Sequence, residues 1–231
     1  MKTIGLIGGM SWESSVEYYR IINEAVRDRL GGVHSCKSLM LTVDFAEIET
    51  LQTHGRWAEA TQAMITAACQ LQAGGADCVL ICANTMHKMA DEVQAAVTIP
   101  LLHIADASAA AVKKQGLHRL GLLGTRYTME EDFYKARLAD KHGLEVLIPD
   151  PDDRTIIHEV IYTELVVGKV NPASKAEYLR IMDKLAGQGV EGILLACTEI
   201  GMLVQQPDSH LPLFDTTPIH ARAAVDFALA G

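Results

Sequence analysis

The sequence predicts an α/β protein made of two similar lobes, each built on a doubly wound parallel sheet. Short apolar segments alternate along the chain with longer amphipathic segments, which is the pattern of parallel strands joined by covering helices. The apolar segments of the second half repeat those of the first half in the same order. Of the 231 residues 49% are hydrophobic, enough to fill two cores of about 100 residues each.

The first half of the chain is expected to hold four strands and three helices. Each strand is a short apolar run, and each helix has apolar residues at helical spacing. Ser11 provides an N-cap for the first helix, and Asp44 stands at the end of the second strand. The predicted strands span residues 3–9, 39–45, 78–82 and 99–104, and the predicted helices span residues 11–30, 57–73 and 86–96.

An internal repeat is recognised by the offsets between matching segments. One match between apolar strands would be weak, but three matches in the same order with slowly drifting offsets indicate a duplication. Asn84 is an extra residue of the first half, so that Thr85 matches Thr198. The matching segments are residues 3–9 with 119–125, 77–83 with 191–197, and 100–104 with 212–216, at offsets of 116, 114 and 112.

The duplication divides the chain into two expected lobes. Residues 1–104 with the C-terminal segment 215–231 form the first lobe, and residues 105–214 form the second, with no flexible linker between them. A pseudo-twofold axis would bring the strand ends near residues 83 and 197 to opposite walls of one cleft. Such a site suits 1,1-proton transfer, in which a proton leaves one face of a carbon and returns to the other. The expected reaction is therefore racemisation or epimerisation.

Charge and hydropathy exclude several classes of partner. The net charge of −9 argues against a nucleic-acid or anionic-membrane surface, because phosphates need basic patches. No segment approaches the roughly 18 uninterrupted apolar residues of a membrane helix. The N-terminal apolar run is too short for a signal peptide, so the cytoplasm is the expected location.

The cysteines and glycines do not indicate a metal or nucleotide site. The five cysteines are odd in number and contain no CxxC pair, and no HxxxH pattern is present. The glycine turn of residues 5–9 lacks the GxGxxG spacing of dinucleotide-binding sites. We expect no metal, and we expect four of the cysteines to be small buried hydrophobes. These four are Cys36, Cys69, Cys78 and Cys82.

The strand of residues 192–196 ends at the most informative group of side chains. Cys197, Thr198 and Glu199 follow it at once, and strand ends are where α/β proteins build small-molecule sites. A catalytic Cys197 needs a thiolate fraction, so its pKa is expected to fall below the free value through oriented amides or a histidine. Glu199 either orients such a partner or caps the following helix. The first half carries Ala83 at the position that matches Cys197.

These residues resemble the aspartate/glutamate racemase superfamily, the cofactor-independent amino-acid racemases. The resemblance covers essentially the whole chain and is strongest to the enterobacterial L-aspartate/glutamate-specific or broad-spectrum branch. It implies a small amino-acid substrate, a two-lobed doubly wound fold, a homodimer and no pyridoxal phosphate or other cofactor. The matching motifs are GLIGGMSWES (5–14), NTMH (84–87), LLGTRYTM (122–129), ACTE (196–199) and DTT (215–217).

The resemblance places the two acid/base groups at residues 83 and 197. Cys197 matches, whereas Ala83 replaces the cysteine or threonine of other members and cannot carry a proton. Asn84 and Thr85 lie at a strand-to-helix turn that suits a carboxylate, or they simply cap the helix; Thr125 and Thr128 lie at the equivalent turn of the second half. The expected substrate-binding residues are Met10, Gln52, Asn84, Thr85, Thr125, Thr198 and Glu199.

Ala83 leaves three interpretations open. Cys82 or Thr85 takes over the second proton, although strand alternation opposes Cys82. Alternatively a water molecule or His87 relays it, or the residue was substituted and the protein binds substrate but is impaired; we favour the last. His103 is a further candidate for assistance, although a lone histidine beside a strand is more often hydrogen-bonded core.

Two other functions stay open beside a racemase of acidic amino acids. A decarboxylase or maleate-type isomerase of the same superfamily would use a single cysteine. A non-catalytic amino-acid-binding protein would need no acid/base group at residue 83.

Overall fold

The computed structural model describes residues 1–230 and divides into two compact units. Unit 1 contains residues 1–104 and, at the C-terminus, residues from 220 onward, and unit 2 contains residues 105–219. The sequence predicts that the chain re-enters the first lobe at residue 215, and in the structure unit 1 resumes at residue 220. The predicted α/β class with parallel sheets is confirmed. The pseudo-twofold relation stays a prediction.

The described residues form seven strands, eleven α-helices and four short segments of other helix types. The strands are β1 (Ile4–Gly8), β2 (Ser38–Thr42), β3 (Cys78–Ile81), β4 (Arg119–Gly124), β5 (Glu145–Leu147), β6 (Gly192–Ala196) and β7 (Leu213–Asp215). The helices are α1 (Trp12–Leu30), α2 (Phe45–Thr53), α3 (Trp57–Ala73), α4 (Ala90–Ala96), α5 (Ile104–Lys114), α6 (Arg126–Glu130), α7 (Asp132–Ala136), α8 (Pro151–Thr163), α9 (Pro172–Gly187), α10 (Ile200–Leu203) and α11 (Thr216–Leu229). The 3₁₀ segments are Thr85–Met89, Leu165–Val167 and Gln206–Asp208, and Arg137–Lys141 is a π-helical turn.

The strand pairing of each unit reproduces the offsets of the sequence repeat. Unit 1 has the order β2-β1-β3 and unit 2 the order β5-β4-β6-β7, with every pair parallel. Gly5 pairs with Val79 in unit 1, and Gly121 pairs with Ile193 in unit 2. Gly5 and Gly121 are 116 residues apart, and Val79 and Ile193 are 114 residues apart, which are the offsets of the sequence repeat. By the same register, Ala83 in unit 1 occupies the place that Cys197 holds in unit 2.

The sheet of unit 1 is covered on both faces. Alternate residues of β3 point to opposite sides, because side chains in a strand have a period of two. Val79, Ile81 and Ala83 belong to the core cluster under α3, and Cys78 and Cys82 belong to the cluster under α1 and α11. Cys82 therefore lies on the opposite face from Ala83, as strand alternation predicts.

The predicted strand of residues 39–45 is too long at its C-terminal end. β2 ends at Thr42, and Asp44 is the N-cap of α2, whose first turn donates the Ala46 N–H to Asp44 Oδ1 at 3.0 Å. The sequence interpretation missed α2 altogether. The signal was present, since an aspartate followed three residues later by Glu47 is a helix-start pattern.

The predicted strand of residues 99–104 is also too long. Only a single bridge, between Leu101 and Val79, links this segment to β3, and α5 begins at Ile104. Side chains bind several of its other backbone groups: His220 Nε2 lies 2.6 Å from Leu102 O, the Ile104 N–H donates to His87 Nε2 at 3.2 Å, and the Leu101 N–H donates to Gln94 Oε1 at 2.7 Å. Side chains thus take the place of further strand pairing. The helix predicted from residue 86 begins as the 3₁₀ segment before α4.

The core of unit 2 lies between its sheet and helices α8 and α9. Leu123, Ile193 and Leu195 from the sheet pack against Ile157 and Ile181 from these helices. The side chain of Cys197 is part of the same cluster. Among the helices that the structure describes, none has the length and apolar composition needed to cross a membrane.

Candidate active site

The ends of β4 and β6 bring together the candidate residues of unit 2. Gly124 pairs with Ala196, so the residues that follow them, Thr125 and Cys197, lie at the same edge of one sheet. A Cβ on Gly124 would lie 2.7 Å from Ala196 O and 3.3 Å from Thr128 Cβ, so only glycine allows the two strand ends to approach this closely. Carboxyl ends of parallel strands are the usual place for ligand sites.

Glu199 turns back toward the thiol that precedes it. Cys197 Sγ donates a hydrogen bond to Glu199 Oε2 at 3.0 Å, and Thr198 Oγ1 donates to the same oxygen at 2.8 Å. All three residues are buried, with 6%, 8% and 3% of their surfaces exposed. The Glu199 side chain makes no capping bond to α10. Of the two roles considered for Glu199, the geometry therefore supports orientation of a partner, and the partner is Cys197 itself.

The expected lowering of the Cys197 pKa is wrong. Burial raises the pKa of this thiol well above its ordinary value, and the negative charge and hydrogen bond of Glu199 and the charge of Asp215 raise it further. The Glu199 backbone N–H acts in the opposite direction, and its effect on the pKa is smaller. Cys197 is therefore a neutral thiol, which is a proton donor as it stands and becomes a base only after it loses its own proton.

Two threonines that follow β7 donate hydrogen bonds to the backbone at the end of β6. Thr216 Oγ1 donates to Leu195 O at 3.0 Å, and Thr217 Oγ1 donates to Thr198 O at 3.4 Å. Asp215 Oδ1 in turn accepts the Thr217 N–H at 2.9 Å. The sequence motif of residues 215–217 thus has a structural role, which fixes the backbone on which the Cys197 and Thr198 side chains stand.

Thr125 and Thr128 form a compact cap at the start of α6. Thr125 Oγ1 accepts the Thr128 N–H at 3.3 Å, and the two hydroxyl oxygens lie 3.2 Å apart. Thr125 is 6% exposed and Thr128 is fully buried. The side chain of Thr125 is therefore held in one orientation at the sheet edge that carries Cys197.

Unit 1 gathers its own set of predicted residues at the end of β3. Met10, Ala83 and Met86 belong to one apolar cluster. Gln52, on α2, is 4% exposed, and its Nε2 donates to Met86 Sδ at 3.2 Å. The Gln52 amide, predicted as a substrate contact, is thus directed toward Met86.

Asn84, Thr85 and His87 continue the chain beyond Ala83. Asn84 makes no side-chain capping bond to the 3₁₀ segment, so simple capping does not explain its presence. The Ile104 N–H can only donate, so His87 Nε2 must accept, and the proton lies on Nδ1, which donates to Ala83 O at 2.8 Å. With both ring nitrogens in backbone hydrogen bonds, His87 is poorly placed to relay a proton. Its ring also packs on that of His103, with 4.5 Å between the centroids.

The remaining cysteines only partly follow the sequence expectation. Cys78 and Cys82 are buried, but Cys36 is half-buried and Cys69 is exposed, because it lies on the outer side of α3. Burial raises the pKa of Cys36 to about 11 and that of Cys78 to about 12, so neither is a thiolate near neutral pH. Within residues 1–230, no three His, Cys, Asp or Glu side chains are grouped to hold a metal ion.

Known proteins resemble this chain over most of its length. The model of the family described as Asp/Glu/hydantoin racemase matches residues 7–224. The broad specificity amino-acid racemase RacX of Bacillus subtilis (strain 168) is 23% identical over 176 residues, which cover 74% of each chain. The crystal structure of a candidate Asp/Glu racemase from Yersinia pestis is 53% identical, with a TM-score of 0.92 over 99% of this chain and 100% of that one. That of an aspartate racemase homologue from Pyrococcus horikoshii OT3 is 33% identical, with a TM-score of 0.85 over 99% of both.

Proposed function

Because the chain belongs to the Asp/Glu/hydantoin racemase family, we propose that it acts on L-aspartate or L-glutamate as a cofactor-independent racemase. The observation that carries this proposal is the buried hydrogen bond from Cys197 Sγ to Glu199 Oε2. A thiol and a carboxylate in contact can exchange one proton without pyridoxal phosphate or a metal. A cytoplasmic homodimer, as the family resemblance implies, is part of the proposal.

Proton removal begins with the thiol and its neighbour. The Cys197 Sγ–H proton passes to Glu199 Oε2, which leaves a thiolate and a carboxylic acid. The thiolate then removes the proton from the substrate Cα, so that the S–H bond forms again as the Cα–H bond breaks and leaves a carbanion. Glu199 thus compensates for the raised pKa of the thiol, since it takes up the proton only at the moment of reaction.

Buried polar groups at the strand ends of each unit are the proposed substrate contacts. Thr198 and Thr125 supply hydroxyl groups in unit 2, and Asn84 and Thr85 supply an amide and a hydroxyl in unit 1. Hydroxyl and amide groups of this kind bind a substrate carboxylate by donating to its oxygens. Met10 and Gln52 complete the proposed set with an apolar contact and a second amide.

Ala83 decides what becomes of the carbanion. Inversion requires a proton on the face of Cα opposite to the one that Cys197 serves, and the alanine at the second family position has none to give. Water must then supply it, and the proton held by Glu199 neutralises the hydroxide that results. Return of a proton from Cys197 to the same face needs no second group. We therefore expect proton exchange with retention to be faster than racemisation.

Incubation of the separate L- and D-enantiomers of aspartate and glutamate in D₂O tests this proposal. One enantiomer should gain deuterium at Cα while it keeps its configuration, because the Cys197 thiol exchanges with solvent and returns deuterium to the same face. Ala83→Cys or Ala83→Thr should raise the rate of inversion by roughly 10²–10⁴-fold, the usual effect of one acid/base group. Cys197→Ala should abolish both exchange and inversion.

The missing group at residue 83 also favours two other functions, which the same set of variants separates. No deuterium at Cα and no inversion, even in Ala83→Cys and Ala83→Thr, would contradict a racemase. Turnover of maleate or an arylmalonate by the unaltered protein would then indicate a single-cysteine isomerase or decarboxylase. Amino-acid binding that Cys197→Ala leaves unchanged, without turnover of any substrate, would indicate a binding protein.

A further inference from the structure

The short helix α6, which follows Thr125 of the proposed site, cannot be stable by its own hydrogen bonds. α6 contains five residues, and a single helical turn in isolation is unfavourable because fixing its backbone costs more than its few hydrogen bonds return. Its first N–H groups also have no acceptor inside the helix. Yet this turn carries the Thr128 N–H that orients the Thr125 side chain. Something outside α6 must therefore hold it.

Two side chains of α8, one turn apart, hold the two ends of α6. At the start, His158 Nδ1 lies 3.2 Å from the Arg126 N–H group. At the end, Arg154 Nε lies 2.9 Å from Glu130 Oε1, while its Nη1 donates to Pro149 O at 2.7 Å. Residues four apart on a helix lie on the same face, so this pair acts as a clamp.

The hydrogen bond at the start of α6 fixes the state of the His158 ring. A backbone N–H can only donate, so Nδ1 must be the unprotonated nitrogen, and the proton lies on Nε2. Two aromatic rings hold the imidazole in place: Tyr162 at 4.7 Å between centroids and Tyr127, edge-on, at 6.0 Å. His158 is half-buried between them.

We propose that His158 is a positioning residue for the active site, whose neutral ring holds the first turn of α6 and so orients the side chain of Thr125. The role of Thr125 toward substrate rests on the proposed function, whereas the clamp on α6 does not. Neither the family motifs nor the sequence repeat includes His158. Its contribution is visible only in the packing of α8 against α6.

The clamp depends on the charge of the ring. Protonation would turn Nδ1 from an acceptor into a donor that faces another donor. The charged groups that act on His158 are Arg126 and Glu130 from α6 and Glu159 from α8. Burial lowers the pKa of His158 below 6.5, and the positive charge of Arg126 adds to this, against the smaller opposite effects of the two glutamates. The ring is therefore neutral at pH 7.5, and the clamp opens only in acid.

Amide hydrogen exchange in the intact protein tests the clamp without any assay of activity. At pH 7.5, His158→Ala should speed the exchange of the Arg126 and Thr128 amides by about fivefold or more, the effect of losing one hydrogen bond. His158→Asn should restore protection, because an asparagine Oδ1 can accept at the place of Nδ1. The matched control is Glu159→Gln, the next residue of α8, which should leave both amides unchanged.

The affinity of the protein for L-aspartate and L-glutamate tests whether the clamp on α6 affects the proposed site. Calorimetric titration with L-aspartate and L-glutamate should show weaker binding by His158→Ala than by the unaltered protein and His158→Asn. The unaltered protein should also lose affinity as the pH falls below 6.5, while His158→Asn should not. Unchanged exchange in His158→Ala, or equal exchange in His158→Ala and His158→Asn, would overturn the inference. Binding of neither amino acid by the unaltered protein would count against the proposed function, and the exchange data would still decide the clamp.

Discussion

At the scale of single residues, the chemistry depends on the environment of one thiol. The position of Cys197 after a short apolar strand, with Thr198 and Glu199 behind it, is enough to predict a candidate nucleophile or acid/base group. Its protonation state could not be predicted, because that depends on how the chain folds back. The carboxylate two residues on contacts the sulfur, and Asp215 lies close enough to add its charge. The result is the reverse of the thiolate that the sequence suggests.

Glu199→Gln tests the thiol–carboxylate pair directly. The pKa of Cys197 should fall, because the negative charge of Glu199 and its hydrogen bond raise it, but burial should keep it above the ordinary value. Proton transfer at Cα should nevertheless slow by about 10²-fold or more, because the glutamine cannot accept the thiol proton. An NMR titration of ¹³C-labelled cysteine measures the first effect, and deuterium exchange at Cα measures the second.

The surface variant Glu177→Gln provides the control for this substitution. Glu177 is on α9 and pairs with Arg180 in solvent, so its loss should leave both measurements unchanged. A Cys197 pKa that stays constant or rises in Glu199→Gln would show that the carboxylate does not control the thiol.

At the scale of elements, periodicity in the sequence predicts most helices and strands. The prediction fails where side chains distant in the sequence bind the backbone of a segment. Residues 99–104 have the composition of a strand, but two of their backbone groups bind His87 and His220, which lie 17 and 118 residues away from their partners. No local pattern indicates such contacts. The missed helix α2 is different in kind, because its capping residues are adjacent in the sequence and the information was available.

His220 makes the stability of this segment depend on pH. Its Nε2–H donates to Leu102 O and its Nδ1 accepts from Tyr18 Oη at 2.9 Å, so both nitrogens are used in the neutral form. Burial lowers the pKa of His220 to about 4 from its usual 6.5. The unfolded chain therefore binds the proton more readily than the folded chain. The contribution of His220 to the free energy of unfolding should be at its maximum above pH 6.5 and should fall as the pH drops toward 4. The full loss is about 3 kcal/mol, from 1.36 kcal/mol per unit.

Urea unfolding at several pH values measures this effect against His220→Gln. The glutamine has no proton to gain in this range, so its stability should change less between pH 6.5 and 4 than that of the unaltered protein. The difference between the two proteins isolates His220 from other histidines, including His158, because these are present in both. Parallel pH profiles would exclude His220 as the cause.

At the scale of the whole molecule, the sequence repeat determines the sheet of each unit. Gly5 pairs with Val79, and the residues that match them at offsets of 116 and 114, Gly121 and Ile193, pair with each other in the same way. The third offset, 112, relates Leu101 to Leu213, and both pair with the strand beside them. Such a repeat is readable because parallel strands are short, apolar and in fixed order. It does not reveal which helices close each sheet.

One face of the unit 1 sheet is closed by the last helix of the chain. Ala221, Ala224, Val225 and Ala228 of α11 pack with Ile4, Leu6 and Tyr18 near the N-terminus. Lys2 also donates its N–H to Ala228 O at 2.9 Å. This face of the N-terminal sheet is therefore covered by α1 and α11 together, and α11 supplies the part of the cover that comes from the C-terminus.

Val225→Ala tests this dependence of unit 1 on the C-terminal helix. Val225 is fully buried, so the loss of two methyl groups should lower the free energy of unfolding of unit 1 by about 2 kcal/mol. Both tryptophans, Trp12 and Trp57, lie in unit 1, so urea unfolding followed by fluorescence reports on that unit. Hydrogen exchange of the β4 and β6 amides reports on unit 2. The matched control, Arg222→Ala on the exposed side of α11, should leave the fluorescence midpoint nearly unchanged. An equal effect of the two substitutions would mean that burial on α11 does not stabilise the N-terminal sheet.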